Sequence, residues 1–293
     1  MSSSTPTPFF SVIIPTYNRA GSIGEAIQSI RSQTFTDFEV IVVDDGSIDG
    51  TKEIVSKIAE EDTRIHYIHQ HNQERSAARN NGIAIAKGTY ICFLDSDDIY
   101  KPYHLAAFHS SIMAQANPIR MYLNYTLGEV PFVPETDEPL ELILKTAICS
   151  QQVCLHREIL QKHQFNINLR IGEDQELWIR IVDDYPLTKT NQQTVVIRDL
   201  GDRTVTLLKT QTYIDNLRLK KKLIQNDEKG RIRPEWKKFM LSAAYFRLAQ
   251  SYFAQNQLLK FYYYLLRSIV ITPKTYFREK LAMLLNPRNR IGR

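Results

Sequence analysis

Four short apolar runs punctuate the first third of the chain, each leading into a polar cluster. Phe10 to Ile14 reads as a strand closed by Pro15, followed by the polar loop Thr16 to Gly21. Behind a capping box of Ser22 and Glu25, Ile23, Ala26, Ile27 and Ile30 recur at helical spacing. Phe38 to Val43 is a second strand running into Asp44-Asp45-Gly46-Ser47, after which Asp49 or Thr51 caps a helix carrying Ile54, Val55, Ile58 and Ala59. Arg64 to Ile68 forms a weaker third strand, and Ser76 to Ala86 a helix with Gly88 as its stop. Tyr90 to Leu94 is the fourth strand. Strict alternation of apolar strands and amphipathic helices predicts an α/β protein with a mostly parallel sheet covered on both faces.

In such folds ligands sit beyond the carboxyl ends of the strands. Tyr17-Asn18, Asp44-Asp45 and Asp95-Ser96-Asp97 all fall at those ends. In extended geometry Asp95 and Asp97 share a face, a way to aim two oxygens at a divalent cation that also holds phosphates. An isolated pair of this kind matches often by accident, and acids also suit the first turn of a helix. The convergence of three strand ends favours the metal and donor reading for Asp95 and Asp97, and leaves Asp98 as a helix cap or a support. Asp45 either holds a ligand or caps its own turn, whereas Asp44 bonds loop amides. Neither a G-x-G-x-x-G after the first strand nor a Walker A loop is present, which excludes the usual dinucleotide and P-loop sites. His66, His69 and His71 run from strand into loop and make a poor metal set.

Beyond Lys101 the pattern loosens. Pro102 to Gln115 and Pro139 to Lys145 read as helices, and Met121 to Leu127, Phe132-Val133 and Val153 to Leu155 as strand pieces. Gly172-Glu173-Asp174 opens a helix through Val182 that contains Trp178, one turn on and on the face of Asp174. Trp178 reads equally as an acceptor-sugar platform or as core. Thr194 to Leu200 and Thr204 to Leu208 look like closing strands. After Thr210 the chain turns helical: Tyr213 to Gln225, Pro234 to Ala254, Leu258 to Val270 and Lys274 to Leu285. The middle two resemble a single tetratricopeptide-like hairpin, which cannot bury its faces alone. This gives a flexible N-terminus at 1–9, a body at 10–210 and a helical region at 211–293.

Charge follows the same division. Residues 1–210 hold 19 Lys and Arg against 27 Asp and Glu, whereas residues 211–293 hold 18 against 5. The basic region suits phosphates or anionic lipid, and Lys220-Lys221-Lys222 is its densest run. It lacks the interleaved basic and aromatic pattern of a nucleic-acid platform. Cys92, Cys149 and Cys154 include no C-x-x-C pair and fit reduced, buried thiols. No signal-peptide pattern opens the chain, and no apolar run approaches the ~20 residues of a bilayer span. These features point to a cytoplasmic protein, at most peripheral to the inner face of a membrane.

The assembled motifs resemble the family-two glycosyltransferases of the GT-A fold. The matching pieces are Val12-Ile13-Ile14-Pro15-Thr16-Tyr17-Asn18, Val42-Val43-Asp44-Asp45-Gly46-Ser47, Ala78-Arg79-Asn80-Asn81-Gly82, Gly88 to Asp98, and Gly172-Glu173-Asp174. They span Phe10 to about Leu207 in order, and the helical tail lies outside the resemblance. It implies inverting transfer of a sugar from a nucleoside-diphosphate donor, carrying uracil, to a hydroxyl of a glycan or lipid-linked acceptor, with Mg²⁺ or Mn²⁺ as cofactor. By position, Pro15, Tyr17 and Asn18 would line the nucleotide pocket and Asp45 would hold the base. Arg79 would lie near the base or diphosphate, Asp95 would face ribose and sugar, and Asp97 the metal. Asp174 would be the catalytic base, with Glu173 in reserve. Related chains often carry a histidine in the closing strands; here the segment reads Asp199-Leu200-Gly201-Asp202-Arg203-Thr204, a departure that leaves open which residue, if any, supplies late diphosphate contacts, and Asp202 or Arg203 could. A catalytically silent nucleotide-sugar-binding scaffold is the alternative, and intact Asp95, Asp97 and Asp174 argue against it.

Overall fold

Strand β1 (Phe10–Thr16) is the centre from which the sheet grows, and all seven of its residues are buried. The computed structural model describes residues 7–126, 138–145, 148–198, 210–225, 227, 230 and 232–273. Helix α1 (Ile23–Arg31) leads to β2 (Phe38–Asp44), α2 (Thr51–Glu61) to β3 (Ile65–His69), and α3 (Glu74–Ile85) to β4 (Tyr90–Phe93). There follow β5 (Ile99–Tyr100), α4 (His104–Met113), β6 (Met121–Thr126), α5 (Pro139–Lys145), a 3₁₀ turn at Ser150–Gln152, β7 (Val153–His156), α6 (Arg157–Lys162), α7 (Glu173–Asp184) and β8 (Leu187–Val196). The described strands form one sheet in the order β3-β2-β1-β4-β7-β6-β8-β5.

The order explains where a ligand can enter. The chain builds outward from β1 through β2 to β3, then returns to place β4 on the other side of β1, all four parallel. The carboxyl ends of β1 and β4 therefore flank a topological switch point. Strand β7 runs antiparallel to β4, with Cys92 opposite Cys154. The 3₁₀ turn before β7 is thereby delivered to the same edge as the end of β4. Strands buried on both faces explain the uninterrupted Val and Ile runs of β1 and β2, and Ile23, Ala26, Ile27 and Ile30 of α1 pack into the same core.

Several local expectations change. Ser22 precedes α1, but its side chain makes no cap bond and its hydroxyl is buried without a partner among the described residues. Glu25 instead pairs with Arg198, so no capping box forms. Asp49 does satisfy the start of α2, its Oδ1 accepting from Thr51 N at 3.0 Å. Gly88 is not a helix stop, since α3 ends at Ile85. It lies where the chain presses on β1: a Cβ there would sit 2.4 Å from Ser11 N and 2.6 Å from the Phe10 carbonyl carbon. Its amide donates to Ser11 Oγ at 2.8 Å, beside the buried Glu39. The closing strand begins at Leu187, ahead of the expected Thr194, because backbone pairing to β6 supports a stretch that carries no apolar alternation. The expected pieces at Leu127, 132–133, 199–200, 204–208 and 274–285, and residues 1–6, lie outside the described residues.

The chain divides into two compact units, Met1–Gly201 and Asp202–Arg293. The second consists, among its described residues, of α8 (Thr210–Gln225), α9 (Pro234–Ala254) and α10 (Leu258–Ile271). Pro234 stands at the first position of α9, where its missing N–H costs nothing. Helix α9 is buried on both sides because α8 and α10 flank it, which is why its sequence shows no single apolar face. Ser242 and Ser268 bring α9 and α10 close, each hydroxyl donating to the other's carbonyl at 2.9 and 2.7 Å.

Candidate active site

At the end of β4 the apolar run stops one residue after the strand, where Leu94 N still donates to Ile13 O at 3.0 Å. The chain then turns, Asp98 N donating to Asp95 O at 3.0 Å, and the three carboxylates part company. Asp95 and Asp97 remain at the edge, 31% and 26% exposed. Asp98 points inward at 3% exposure and accepts from Gln151 Nε2 at 2.5 Å and Arg198 N at 2.9 Å. Burial, then the nearby Asp95 charge, pushes Asp98 up to about 7. The expectation that Asp98 starts a helix is corrected: it precedes β5, and the next helix begins at His104. Its role is to tie the edge to the turn before β7 and to the end of β8.

Helix α7 brings the second set of acids. Gly172 adopts φ 73°, a left-handed turn natural to glycine, and aims the first turn of α7 at the β4 edge. Arg79 of α3 lies between them, 1% exposed. Its Nη2 donates to Asp95 Oδ1 at 2.8 Å, and its Nη1 meets Glu173 Oε1 at 3.3 Å and Asp174 Oδ1 at 3.4 Å. Arg75 pairs with Glu173 at 2.7 Å, and Ser150 N donates to Asp174 Oδ2 at 3.2 Å. Burial raises Asp174 to about 7, with the Arg79 charge opposing and Glu173 and Asp95 reinforcing the rise. A carboxylate poised there can take a proton from a hydroxyl near neutral pH.

The remaining motif residues frame this cluster. Asn80 and Phe165 exchange two hydrogen bonds of 2.9 Å, clamping α3 to the loop before α7. Gly82 lets α3 lie on β1, where a Cβ would come 2.6 Å from Ile13 Cγ2. Arg79, expected near the base or diphosphate, is fully buried and turns its guanidinium to carboxylates of its own chain, Asp95 of the donor edge among them. Of the two readings of Trp178, core is the one observed. Its ring is fully buried, edge-on to Phe165, with Nε1 donating to Ile148 O at 3.1 Å, so it presents no face to an acceptor.

The first two strand ends form the other side of the edge. Pro15 lies buried within β1, and Tyr17, just beyond, is 46% exposed. Asn18, at φ 51°, accepts from Ile48 N through Oδ1 at 2.9 Å while its own amide donates to Ser47 Oγ at 2.9 Å. The β1 and β2 loops are thereby stitched together. Asp44 accepts from Ser47 N at 2.8 Å and the Tyr67 hydroxyl at 2.6 Å, a structural role as expected. Asp45 is buried and accepts at one oxygen from Gln70 Nε2 at 2.6 Å and Gln73 N at 2.9 Å.

The donor set at the β4 edge suits a hard divalent cation. Among the described residues no cluster of three or more His, Cys, Asp or Glu could hold an ion by itself. Mg²⁺ and Mn²⁺ take one or two carboxylates when substrate phosphates supply the other oxygens, and Asp97 at this edge is the carboxylate that could serve. Arg19 Nη2 lies 3.7 Å from Asp97 Oδ2. Arg19, Gln151 and Arg198 were not singled out in the sequence. Arg19 directly follows Tyr17-Asn18, a usable signal, whereas Gln151 and Arg198 reach the edge only through sheet topology. Asp202 and Arg203 lie outside the described residues.

Comparison with known proteins accords with this geometry. Residues 11–115 match the family described as Glycosyl transferase family 2. An uncharacterised glycosyltransferase of Rickettsia felis is 33% identical over 214 residues, covering 70% of this chain and 34% of the relative. EpsJ of Bacillus subtilis, also an uncharacterised glycosyltransferase, is 48% identical over 91 residues, 31% of this chain and 26% of its own. This chain thus spans about a third or less of the curated relatives it matches. Among solved structures, S. aureus TarS 1–349 in complex with UDP-GlcNAc aligns with a TM-score of 0.62 at 20% identity, covering 90% of this chain and 81% of that one. Mannosyltransferase PcManGT from Pyrobaculum calidifontis, in complex with GDP-Man and Mn²⁺, aligns at 0.61 and 20% identity, covering 97% and 82%. The architecture is that of the GT-A fold, a mixed, mostly parallel sheet flanked by helices with helices at the C-terminal end. The chain belongs to the family 2 glycosyltransferases.

Proposed function

We propose that this chain transfers a sugar from a UDP-sugar to a hydroxyl of a glycan or lipid-linked acceptor, by one inverting displacement in which Asp174 is the base. The observation that carries the reading is the meeting of Asp95 and Asp174 across a single buried arginine at the switch point of the sheet. The acceptor oxygen attacks the anomeric carbon and gives its proton to Asp174, while the bond to the nucleoside diphosphate breaks and the diphosphate leaves with the electron pair. Tyr17 offers an exposed ring to the nucleotide base, with Pro15 and Asn18 shaping the loop beneath it. Asp45 keeps one carboxylate oxygen for the base, and Asp95 faces the ribose and sugar. Mg²⁺ or Mn²⁺ held by Asp97 would neutralise the charge that develops on the leaving diphosphate. The PcManGT complex with GDP-Man and Mn²⁺ and the TarS complex with UDP-GlcNAc support a nucleotide-sugar donor by analogy of fold. The basic helical region contacts an anionic membrane surface.

A donor panel read out by released nucleoside diphosphate identifies the sugar, and Asp174→Asn tests the mechanism. Transfer should fall by at least about a hundredfold, the lower end of a general base's contribution, with donor affinity retained. Substantial turnover in Asp174→Asn removes the base assignment. Donor binding without any metal-dependent release, across all donors and acceptors tried, favours the silent scaffold.

A further inference from the structure

We propose that Arg79 is a positioning residue that joins the donor edge to the proton acceptor, holding Asp95 and Asp174 on the two arms of one guanidinium. The inference rests on the reading of Asp174 as base.

The geometry is that of a fork. One arm, Nη2, reaches Asp95 beyond β4, and the other, Nη1, reaches Glu173 and Asp174 at the start of α7. The three carboxylates come from segments that meet only in the folded sheet. Arg79 cannot drift, because its guanidinium lies 5.2 Å from the Phe165 ring centroid, and Phe165 is itself clamped by Asn80. A lysine would supply the charge at one point and lose the two-armed geometry.

The electrostatics require such a cation. Asp174 faces Arg79 and Arg75 from α3, Asp95 from the β4 edge and Glu173 from its own helix, and accepts from Ser150 N before β7. Burial and two like charges favour its protonated form; the two guanidiniums oppose them. Arg79 is the closer of the two to Asp174 and the one with no outlet to solvent. Without it, Asp95, Glu173 and Asp174 would face one another with Arg75 alone to offset them, and Asp174 would hold its proton to higher pH. Because Asp95 is on the same cation, any ligand that draws on Asp95 alters the field at Asp174.

The test titrates the full chain directly, and its midpoints are read without substrate. Carboxyl ¹³C NMR of protein labelled at the aspartate side-chain carbon follows each group, and Asp174→Asn identifies the Asp174 signal by its loss. Arg79→Gln should raise the Asp174 midpoint by about one pH unit or more, the scale of an opposite charge within ~4–6 Å. Glu173→Gln should lower it, and Arg79→Lys should leave it near wild type while turnover still falls about a hundredfold, the scale of a misplaced reacting group. If Arg79→Gln does not fold, Arg75→Gln, raising the midpoint, and Glu173→Gln, lowering it, carry the test. A midpoint unmoved by these substitutions overturns the proposal. Turnover retained in Asp174→Asn instead overturns the base reading, whatever the titrations show.

Discussion

On the proposed mechanism the carboxyl group of Asp174 sets how turnover responds to pH. Its folded value is raised to about 7, chiefly by burial. On the proposed mechanism the ionised form is the base, so turnover should rise with pH through about 7 and fall tenfold per unit below it. A pH–rate profile with the competent donor checks this, and an acid limb near the ordinary carboxylate range of about 4 speaks against it. Trp178 gives a second expectation at the same scale. Its ring fills the core beside Phe165, so Trp178→Ala should cost about 3–5 kcal/mol of stability through the cavity it leaves. Trp178→Phe keeps most of the volume and loses mainly the bond to Ile148 O, at a cost of about 1 kcal/mol. Denaturant melts of the two variants measure this. An acceptor-binding ring would instead change acceptor KM with little change in stability.

Among the elements, the close approach of Gly88 to β1 makes the sharpest prediction. A Cβ at 88 meets backbone atoms of Phe10 and Ser11, which have no rotamer by which to yield. Gly88→Ala should lower stability by about 1–3 kcal/mol, seen as a lower denaturation midpoint with an unchanged slope. The sequence read this glycine as a helix stop because a stop and a close contact look alike along the chain. Strands β1, β2 and β4 were legible because burial on both faces writes continuous apolar runs, whereas β3, buried only at Ile65, read more weakly. Strand β8 begins in Thr188-Lys189-Thr190-Asn191, where partial exposure removes that signal and only pairing with β6 defines the strand. The site was legible on the same terms. Asp45, Asp95, Asp97 and Asp174 stood out as polar residues at strand ends or a helix start. What they touch was not, because Gln151 and Arg198 reach Asp98 across sequence separations of 53 and 100 residues. The separation from Arg79 to Glu173 is 94. The antiparallel pairing of β7 with β4 brings Gln151 to Asp98, and the pairing of β8 with β5 brings Arg198 there; no local pattern announces either.

At the scale of the whole molecule, the second unit presents a surface that its own core does not explain. On α10, Phe261 and Leu265 are buried, whereas Leu259, Tyr263, Leu266 and Val270 are 91%, 50%, 53% and 82% exposed. Their spacing of four, three and four residues draws one apolar stripe along the helix. The helix contains Lys260 and Arg267 and no acidic residue, within a region of 18 basic and 5 acidic side chains. No helix of the described residues is long and apolar enough to cross a membrane. An apolar stripe with basic surroundings suits a helix lying in the interface of an anionic bilayer, where each basic residue contributes about 1 kcal/mol. The full chain should therefore sediment with phosphatidylglycerol-containing vesicles and far less with pure phosphatidylcholine vesicles, and salt should weaken the binding. Leu259→Ser with Leu266→Ser and Val270→Ser should reduce vesicle binding at least tenfold. Exposed positions of this kind change stability by only about 0.5 kcal/mol each, so the variant should melt close to wild type. Equal binding to neutral vesicles, or a stripe variant that binds as wild type, removes the membrane assignment. Concentration-dependent self-association abolished by the same substitutions would assign the stripe to a second copy of the chain.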